Sequence, residues 1–285
     1  MKAKDTGIPA HIDQTAYFLF KAENPVGTIL YTPALGVNAQ FYTPLAASFA
    51  GSGYNVLVHE LRGIGISPVR AGRNADFGYS DIINTDFPRL MALAQSMNNA
   101  GKVIIAGHSL GGHLSALYLA RHRPVADAFV LTACSTPYYR FYNGATRYIL
   151  RYGTYLIQAI ALAMGYFPGS RLGFGGREAK TLISDWSRLA RTNLFRLKGD
   201  LFDYEAALRS LDPPVLSLCF ATDPMAPPRA VKGLNAKFPG HLLTERVLSG
   251  EQSGAVDHFS WVNRYGGVTG DILEWIETLD CETPG

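Results

Sequence analysis

The sequence predicts an α/β fold in which helices cover both faces of a mostly parallel sheet. In its first half, short strand-like apolar runs alternate with helix-like segments, an order typical of parallel sheets. The alternation stops between about Ser135 and Ala207 and resumes at Val215. A chain of 285 residues, 47% of them hydrophobic, is long enough for one large domain with an insertion.

The strands are predicted from apolar runs rich in β-branched residues, and the helices from apolar residues at helical spacing. The first helix shows both its spacing (Phe41, Leu45 and Phe49) and its end, at Gly51-Ser52-Gly53. Strands are expected at 16–21, 27–32, 55–59, 103–106, 126–133, 215–221 and 242–248, and helices at 40–51, 81–98, 114–121, 228–238 and 268–279.

The interruption is interpreted as a helical cap inserted into the α/β core. It is rich in aromatic residues and arginines, contains a Gly-rich stretch at 165–176, and has helix-like pieces at 145–163 and 177–189. The predicted core comprises residues 1–134 and 208–285, and the predicted cap comprises 135–207. No strand is expected within the cap.

The pentapeptide Gly107-His108-Ser109-Leu110-Gly111 matches G-x-S-x-G and lies between a predicted strand and a predicted helix. In that setting the serine stands on a sharp turn that exposes its hydroxyl above the sheet edge. The flanking glycines suit the tight packing of such a turn. Ser109 is therefore the candidate nucleophile.

A serine nucleophile needs a general base, usually a histidine oriented by a carboxylate. One chain order found with this turn is serine, acid, histidine. Of the seven histidines, His258 alone has the right order and a loop position after the last strand. Asp223 directly follows the preceding strand and is the first choice of acid. Asp257 is the weaker rival, because it is adjacent to the base.

Two backbone N–H groups should stabilise the oxyanion of an acyl-transfer intermediate. One is expected from Leu110, the residue after the nucleophile. The other should come from the loop after the strand at 27–32, where Pro33 has no N–H. Ala34 is the expected donor, with Leu35 as the alternative.

The composition argues against several other classes of protein. A net charge of +3 is small and dispersed, so no nucleic-acid partner is expected. The sequence has no metal-ligand cluster or phosphate-binding loop, so no metal or cofactor is expected. Residues 152–167 are too short for a membrane span, and the first nine residues lack the apolar core of a signal peptide. A soluble, cytoplasmic protein with a small-molecule substrate is expected; the oligomeric state stays open.

Together these pieces resemble the α/β-hydrolase superfamily, in the branch of the monoacylglycerol lipases and serine-aminopeptidase-like hydrolases, and within it a bacterial group of predicted hydrolases. The resemblance covers about residues 15–280 and is carried by the segments 33–37, 62–67, 107–112, 165–169, 223–228 and 258–259. It implies Ser109, Asp223 and His258 as a triad, with Ala34 and Leu110 as oxyanion donors. Two departures are Glu60, where relatives often have Asp, and Thr32-Pro33 in place of a His-Gly pair.

The predicted function is hydrolysis of a hydrophobic or aromatic carboxylic ester through an acyl-enzyme. The aromatic cap is expected to cover the serine, with Tyr138, Tyr142 and Phe167 contacting substrate. The arginines at 140, 147 and 151 could bind a substrate carboxylate or simply be solvated. The alternatives are an acyltransferase that uses the same acyl-enzyme, and a ligand-binding protein without catalytic activity.

Overall fold

A computed structural model describes residues 7–97, 101–122, 126–249 and 257–281. Its centre is an eight-stranded sheet with the order β1-β2-β4-β3-β5-β6-β9-β10. The strands β1, β2 and β4 pair antiparallel, and the remaining pairs are parallel. The strands of the sheet are β1 (Ile8–Ile12), β2 (Thr15–Phe20), β3 (Gly27–Thr32), β4 (Tyr54–Glu60), β5 (Lys102–His108), β6 (Ala128–Thr132), β9 (Val215–Phe220) and β10 (Leu243–Leu248).

The helices of the core connect these strands and cover both faces. They are α1 (Thr43–Gly51), α2 (Tyr79–Asp81), α3 (Phe87–Ser96), α4 (Leu110–Arg121), α9 (Tyr204–Leu208), α10 (Pro228–Asn235) and α11 (Gly266–Cys281). A π-helical turn, Ile82–Asp86, joins α2 to α3, and 3-10 turns lie at Ala39–Tyr42, Gly240–Leu242 and Ser260–Arg264.

Successive side chains of the central strands point to opposite faces of the sheet and pack into two hydrophobic cores, one on each face. On β5, Ile105 packs into the core that contains Leu90 of α3 and Leu114 of α4. Ile104 packs into the opposite core, with Trp275 of α11. Burial of β5 on both faces explains why its sequence is continuously apolar instead of alternating.

The chain between β6 and β9 carries the elements of the cap. It contains α5 (Gly144–Tyr148), a π-helical turn (Ile149–Gly153), α6 (Thr154–Met164), β7 (Tyr166–Pro168), α7 (Gly169–Leu172), β8 (Arg177–Ala179) and α8 (Lys180–Thr192), after a 3-10 turn at Tyr139–Phe141. We use the name cap segment for residues 135–207.

Four details differ from the sequence predictions. The strand β1 was not predicted, and it pairs antiparallel with β2 at the edge of the sheet. The cap segment contains a two-stranded antiparallel sheet, β7 with β8, where no strand was expected. A π-helical turn interrupts the predicted helix at 145–163. The predicted boundary at 207/208 cuts through α9, which packs on α4 of the core.

The carboxyl ends of the parallel strands meet at one edge of the sheet, which is where ligands bind in open α/β folds. The turn after β5, the turn after β9 that contains Asp223, and His258, which follows β10 in the chain, all lie at this edge. Within the described ranges, no helix combines the length and the apolar character needed to cross a membrane.

Candidate active site

Ser109 lies on a strained turn between β5 and α4. Its backbone has φ 53° and ψ −116°, values that a residue with a side chain rarely adopts. The Ser109 N–H donates to the Thr132 carbonyl at 3.2 Å, and the Ser109 carbonyl accepts from the N–H of Gly112 at 3.1 Å. The surrounding backbone therefore holds the strained geometry that presents the hydroxyl.

Close backbone contacts explain the two glycines of the motif. A Cβ on Gly107 would lie 2.5 Å from the backbone of Gly111 and Gly112. A Cβ on Gly111 would lie 2.0 Å from the carbonyl oxygen of Thr32, at the end of β3. No side chain fits at either position, because the obstructing atoms belong to the backbone.

The structure brings together the predicted acid and base. His258 Nδ1 lies 2.8 Å from Asp223 Oδ2, and both side chains are buried. The other oxygen, Asp223 Oδ1, accepts hydrogen bonds from the N–H groups of Met225 at 2.8 Å and Ala226 at 3.1 Å. The carboxylate is thus fixed by the turn after β9, and it orients the imidazole through Nδ1. A histidine held in this way has Nε2 available as a base.

Asp257, the rival acid, has a different role. Its carboxylate accepts from the N–H groups of Phe259 at 2.9 Å and Ser260 at 2.8 Å, which caps the 3-10 turn that follows. Trp261 Nε1 donates to the His258 carbonyl at 3.1 Å. These bonds fix the backbone around His258. The imidazole of His258 contacts the carboxylate of Asp223 and not that of Asp257.

Ser109 and His258 line the same cavity, whose volume is about 180 Å³. Within the described part of the chain, the Ser109 hydroxyl forms no hydrogen bond. Catalytic hydrogen bonds are often longer in a free enzyme and tighten when substrate binds. The arrangement can therefore support proton transfer from the serine across this cavity.

The structure does not leave the predicted oxyanion donor Ala34 free. Its N–H donates to Tyr42 Oη at 3.0 Å, and that oxygen lies 2.7 Å from His108 Nδ1. The tyrosine hydroxyl thus links the Ala34 N–H to the His108 imidazole, and the tautomer of His108 decides which of those two side chains donates. Leu35, the alternative from the same loop, also lines the cavity, and its N–H has no hydrogen-bond partner among the described residues.

Leu110, the other predicted donor, lies at the start of the helix that follows Ser109. It is the first residue of α4, where backbone N–H groups have no partner within the helix, and it lines the cavity beside Ser109. The positive end of the helix dipole adds to the stabilisation of negative charge at this point. Among the described residues, neither the Leu110 N–H nor the Leu35 N–H has a hydrogen-bond partner, so both can donate to an oxyanion in this cavity.

Two further histidines near the serine are buried and neutral. Burial, followed by the neighbouring His258, holds the pKa of His108 well below its usual range. Burial also lowers the pKa of His113 to about 4, and its Nε2 donates to the Ser135 carbonyl at 2.8 Å. Neither is placed as the base, because each is tied to other groups.

The three predicted substrate contacts separate in the structure. Tyr142 lines the serine cavity, and its hydroxyl donates to the Met225 carbonyl at 2.9 Å, next to the turn that holds Asp223. Phe167 is buried away from Ser109 and lines a second, apolar cavity. Tyr138 lines neither cavity; its ring packs on Tyr139 and Phe141 instead. A substrate contact of Tyr138 stays a prediction that neither cavity supports.

The second cavity adjoins the first and has a volume of about 660 Å³. Its almost entirely apolar walls come mostly from the helices of the cap segment, and the turn after β9 contributes Pro224 and Met225. Five residues belong to the walls of both cavities: Pro137, Tyr142, Phe174, Trp186 and Met225. Sequence reasoning missed Trp186 and Met225, although Met225 is two residues from Asp223.

The cap segment touches the loop after β3, which carries the candidate donors Ala34 and Leu35 and which we call the oxyanion loop. A Cβ on Gly36 would lie 2.4 Å from the backbone of Gly175 and Gly176. The buried carboxylate of Glu178 accepts the N–H of Gly176 at 2.7 Å, and burial raises its pKa to about 7. Glu178 thus fixes the cap loop that lies against the turn containing Leu35.

Glu60, which the sequence analysis identified as a departure from an expected aspartate, links two core loops. Its carboxylate accepts the N–H of Ala39 at 2.9 Å and that of Ile66 at 3.3 Å. The departure from aspartate therefore has a structural role. Over the ranges that the structure describes, no group of three or more His, Cys, Asp or Glu side chains could hold a metal ion.

The fold is shared with solved hydrolases. A monoglyceride lipase of Saccharomyces cerevisiae, solved as a soluble variant with a substrate analogue, is 14% identical with a TM-score of 0.69, and the match covers 98% of this chain and 95% of that one. A carboxylesterase of the thaumarchaeon Nitrososphaera gargenis is 17% identical with a TM-score of 0.63, covering 97% and 100%. A thermophilic esterase from Thermogutta terrifontis is 15% identical with a TM-score of 0.60, covering 96% and 97%.

A search of curated proteins found no match. A family model described as serine aminopeptidase, S33, matches residues 23–170, which is more than half of the chain. The matched range contains the oxyanion loop, the Ser109 turn and the first part of the cap segment. The chain therefore belongs to the serine aminopeptidase S33 family of hydrolases and has the α/β-hydrolase fold.

Proposed function

We propose that this hydrolase cleaves hydrophobic carboxylic esters through a Ser109-His258-Asp223 triad. The observation that carries the proposal is the 2.8 Å contact of His258 Nδ1 with Asp223 Oδ2, in a cavity that the strained Ser109 also lines. The acid and base side chains are buried and in contact, so the charge on the imidazolium is stabilised mainly by the carboxylate of Asp223.

In the proposed reaction, the Ser109 hydroxyl attacks the ester carbonyl while His258 Nε2 takes its proton. The N–H groups of Leu110 and Leu35 stabilise the tetrahedral oxyanion. His258 then gives the proton to the leaving alcohol, and an acyl-enzyme remains on Ser109. Water, deprotonated by His258, attacks that acyl group; the bond to Ser109 Oγ then breaks, His258 returns the proton to that oxygen, and the carboxylic acid is released.

The apolar cavity supports a hydrophobic substrate. It adjoins the serine cavity through a shared wall, and its volume of about 660 Å³ lies in the range of ligand-binding sites. The wall offers few polar groups to a charged or strongly hydrated substrate. The arginines at 140, 147 and 151 line a separate surface cavity, so they are not placed to bind a carboxylate next to Ser109.

Turnover of a series of p-nitrophenyl esters tests the proposal. Ser109→Ala should reduce kcat/KM by about 10³-fold or more, because the nucleophile is lost. Ser115→Ala, which removes a buried hydroxyl six residues further along the chain in α4, is the matched control and should keep most of the activity. Equal turnover by Ser109→Ala and wild type would contradict the proposed nucleophile. Products formed with an added alcohol distinguish hydrolysis from acyl transfer.

A further inference from the structure

The cap segment has a surface cavity that is separate from the serine cavity and is lined by arginines and tyrosines. Its volume is about 410 Å³, which lies within the range of small-molecule sites. We call it the arginine cavity and define it by the residues that line it: Tyr139, Arg140, Arg147, Tyr148, Arg151 and Tyr152. A wall with three arginines and no acidic residue favours an anionic ligand.

No carboxylate of the cap balances this charge. From residue 128 to 177 the chain contains five arginines and no aspartate, glutamate or lysine. Among the described residues, none of Arg140, Arg147 and Arg151 forms an ion pair. Three like charges around one cavity repel one another, and a bound anion would relieve that repulsion.

Tyr139 holds two of the arginines in place. The residue is buried, and its hydroxyl accepts hydrogen bonds from Arg140 Nε at 3.0 Å and from the guanidinium of Arg151. The Arg151 guanidinium carbon also lies 4.6 Å from the centre of the Tyr139 ring. The hydrogen bond from Arg140 lowers the pKa of the Tyr139 hydroxyl, and the charges of both arginines act in the same direction. Two guanidiniums are thus oriented before a ligand arrives, which lowers the entropic cost of binding.

Arg147 and Tyr148 are free to contact a ligand. Within the ranges that the structure describes, the Arg147 side chain has no hydrogen-bond or ion-pair partner, and the Tyr148 ring packs on no other ring or cation. Tyr148 is 64% exposed although it lines the cavity. An exposed tyrosine ring at a cationic site offers a stacking surface for a planar ring, such as a nucleobase.

We propose that the arginine cavity binds a small phosphorylated ligand with a planar ring, of the nucleoside diphosphate class. Guanidinium groups bind phosphate oxygens in a bidentate manner, and the Tyr148 ring is placed to stack on the base. Inorganic phosphate would leave the aromatic wall unused. A hydrophobic ester would leave the arginines unpaired, so the ligand of this cavity differs in class from the substrate proposed for the serine cavity.

One helical segment joins the arginine cavity to the apolar cavity. Arg147 and Arg151 line the arginine cavity, whereas Ile149 and Leu150 of the same segment line the apolar cavity. The π-helical turn of the cap lies in this segment, and such turns are frequent at functional sites. A ligand that fixes the turn should therefore change KM for a hydrophobic ester. This consequence rests on the proposed function, whereas ligand binding itself does not require catalysis.

Isothermal titration calorimetry with the Ser109→Ala protein tests binding separately from catalysis. The probes are ADP, inorganic pyrophosphate and adenosine. We expect ADP to bind with a lower Kd than pyrophosphate, adenosine to show no measurable binding, and the Kd for ADP to rise as salt is added. No binding of ADP would overturn the proposal, whatever the esterase activity of the wild type. Equal Kd values for ADP and pyrophosphate would overturn the assignment of a ligand with a ring.

Two variants and a matched control locate the site. Arg147→Ala should raise the Kd for ADP about tenfold, because charge-assisted hydrogen bonds are lost, and Tyr148→Ala about fivefold, because the stacking surface is lost. Arg209→Ala is the control: it removes an exposed arginine at the end of α9 that does not line the cavity, and the Kd should stay unchanged. Equal losses from Arg209→Ala and Arg147→Ala would overturn the assignment of the site.

Ester turnover tests the link between the two cavities. Saturating ADP should change the KM of the wild type for a hydrophobic p-nitrophenyl ester by about twofold or more, with little change in kcat. The same ADP concentration should have a much smaller effect on Arg147→Ala, whose turnover without ADP should equal that of the wild type. A wild-type KM that saturating ADP leaves unchanged would overturn the link.

Discussion

The sheet edge around Ser109 and the cap segment are built in different ways. At the sheet edge, backbone atoms meet at close range, as where Gly111 faces the Thr32 carbonyl, and buried hydrogen bonds fix Asp223. In the cap, the outer helices keep large apolar side chains exposed and set arginines over aromatic rings, as Arg191 lies 4.3 Å from the ring centroid of Tyr155. Few side-chain substitutions would fit at the sheet edge, whereas the exposed cap surface can accept many.

The difference indicates that chemistry and substrate choice are encoded in separate parts of the chain. The strained turn and the acid–base pair depend on strands and loops of the core. The apolar cavity depends on helices of the cap segment. Substitutions at the sheet edge should therefore strongly change the catalytic rate. Substitutions in the cap should instead change substrate selectivity and the stability of the fold.

The largest effect is expected for the acid of the triad. Asp223→Asn should lower kcat for an activated ester by about 10⁴-fold, because an amide stabilises the wrong histidine tautomer and no imidazolium. Asp257→Asn is the matched control, since it changes the neighbouring acid that caps the 3-10 turn. Similar losses from both variants would show that the two carboxylates had been assigned incorrectly.

A smaller effect is expected for the buried carboxyl of the cap, Glu178. Its ordinary pKa of 4.5 is raised to about 7 in the folded protein by burial. Between these values the unfolded chain ionises first, so the free energy of unfolding falls as the pH rises from 4.5 to 7. Glu178→Gln should remove this fall and be more stable than wild type above pH 7, by roughly 2–3 kcal/mol.

Denaturant unfolding at a series of pH values measures this difference. Asp185→Asn provides a comparison, because burial raises the pKa of Asp185 to about 6 and its carboxylate accepts two backbone N–H groups. Its effect on the pH dependence should end near pH 6. Parallel curves for wild type and Glu178→Gln would rule out a raised pKa at Glu178.

The smallest effect is expected for the anchor of the oxyanion loop. Tyr42→Phe removes the acceptor for the Ala34 N–H and the hydroxyl that hydrogen-bonds to His108 Nδ1. We expect kcat to fall about tenfold with little change in KM, because the loop that carries Leu35 loses its position in the transition state. Tyr31→Phe is the matched control: Tyr31 is also buried, and its hydroxyl has no hydrogen-bond partner among the described residues. Equal losses from the two variants would contradict the role given to Tyr42.

Much of the active site follows from the sequence because its signals are local. The Ser109 turn is contiguous, and parallel strands bring their carboxyl ends to one edge, so Asp223 and His258 could be placed from strand ends alone. The partner of the Ala34 N–H could not be placed in this way. It is a tyrosine on a separate 3-10 turn, held in turn by His108, 66 residues further along the chain.

The cap was less accessible to sequence reasoning for physical reasons. The strands β7 and β8 have three residues each, too few to show a period of two. Aromatic residues serve equally well as core and as cavity wall, so composition could not separate Tyr138 from Tyr142. Only tertiary packing decides which ring faces the cavity.

The most direct test of the account is labelling with a fluorophosphonate, followed by peptide mass analysis. The account predicts one modified residue, Ser109, with labelling lost in Ser109→Ala and greatly slowed in Asp223→Asn. Thermal unfolding of the same samples would show that each variant is folded. Modification of a different serine, or none in the folded wild-type protein, would contradict the claim that this site activates Ser109.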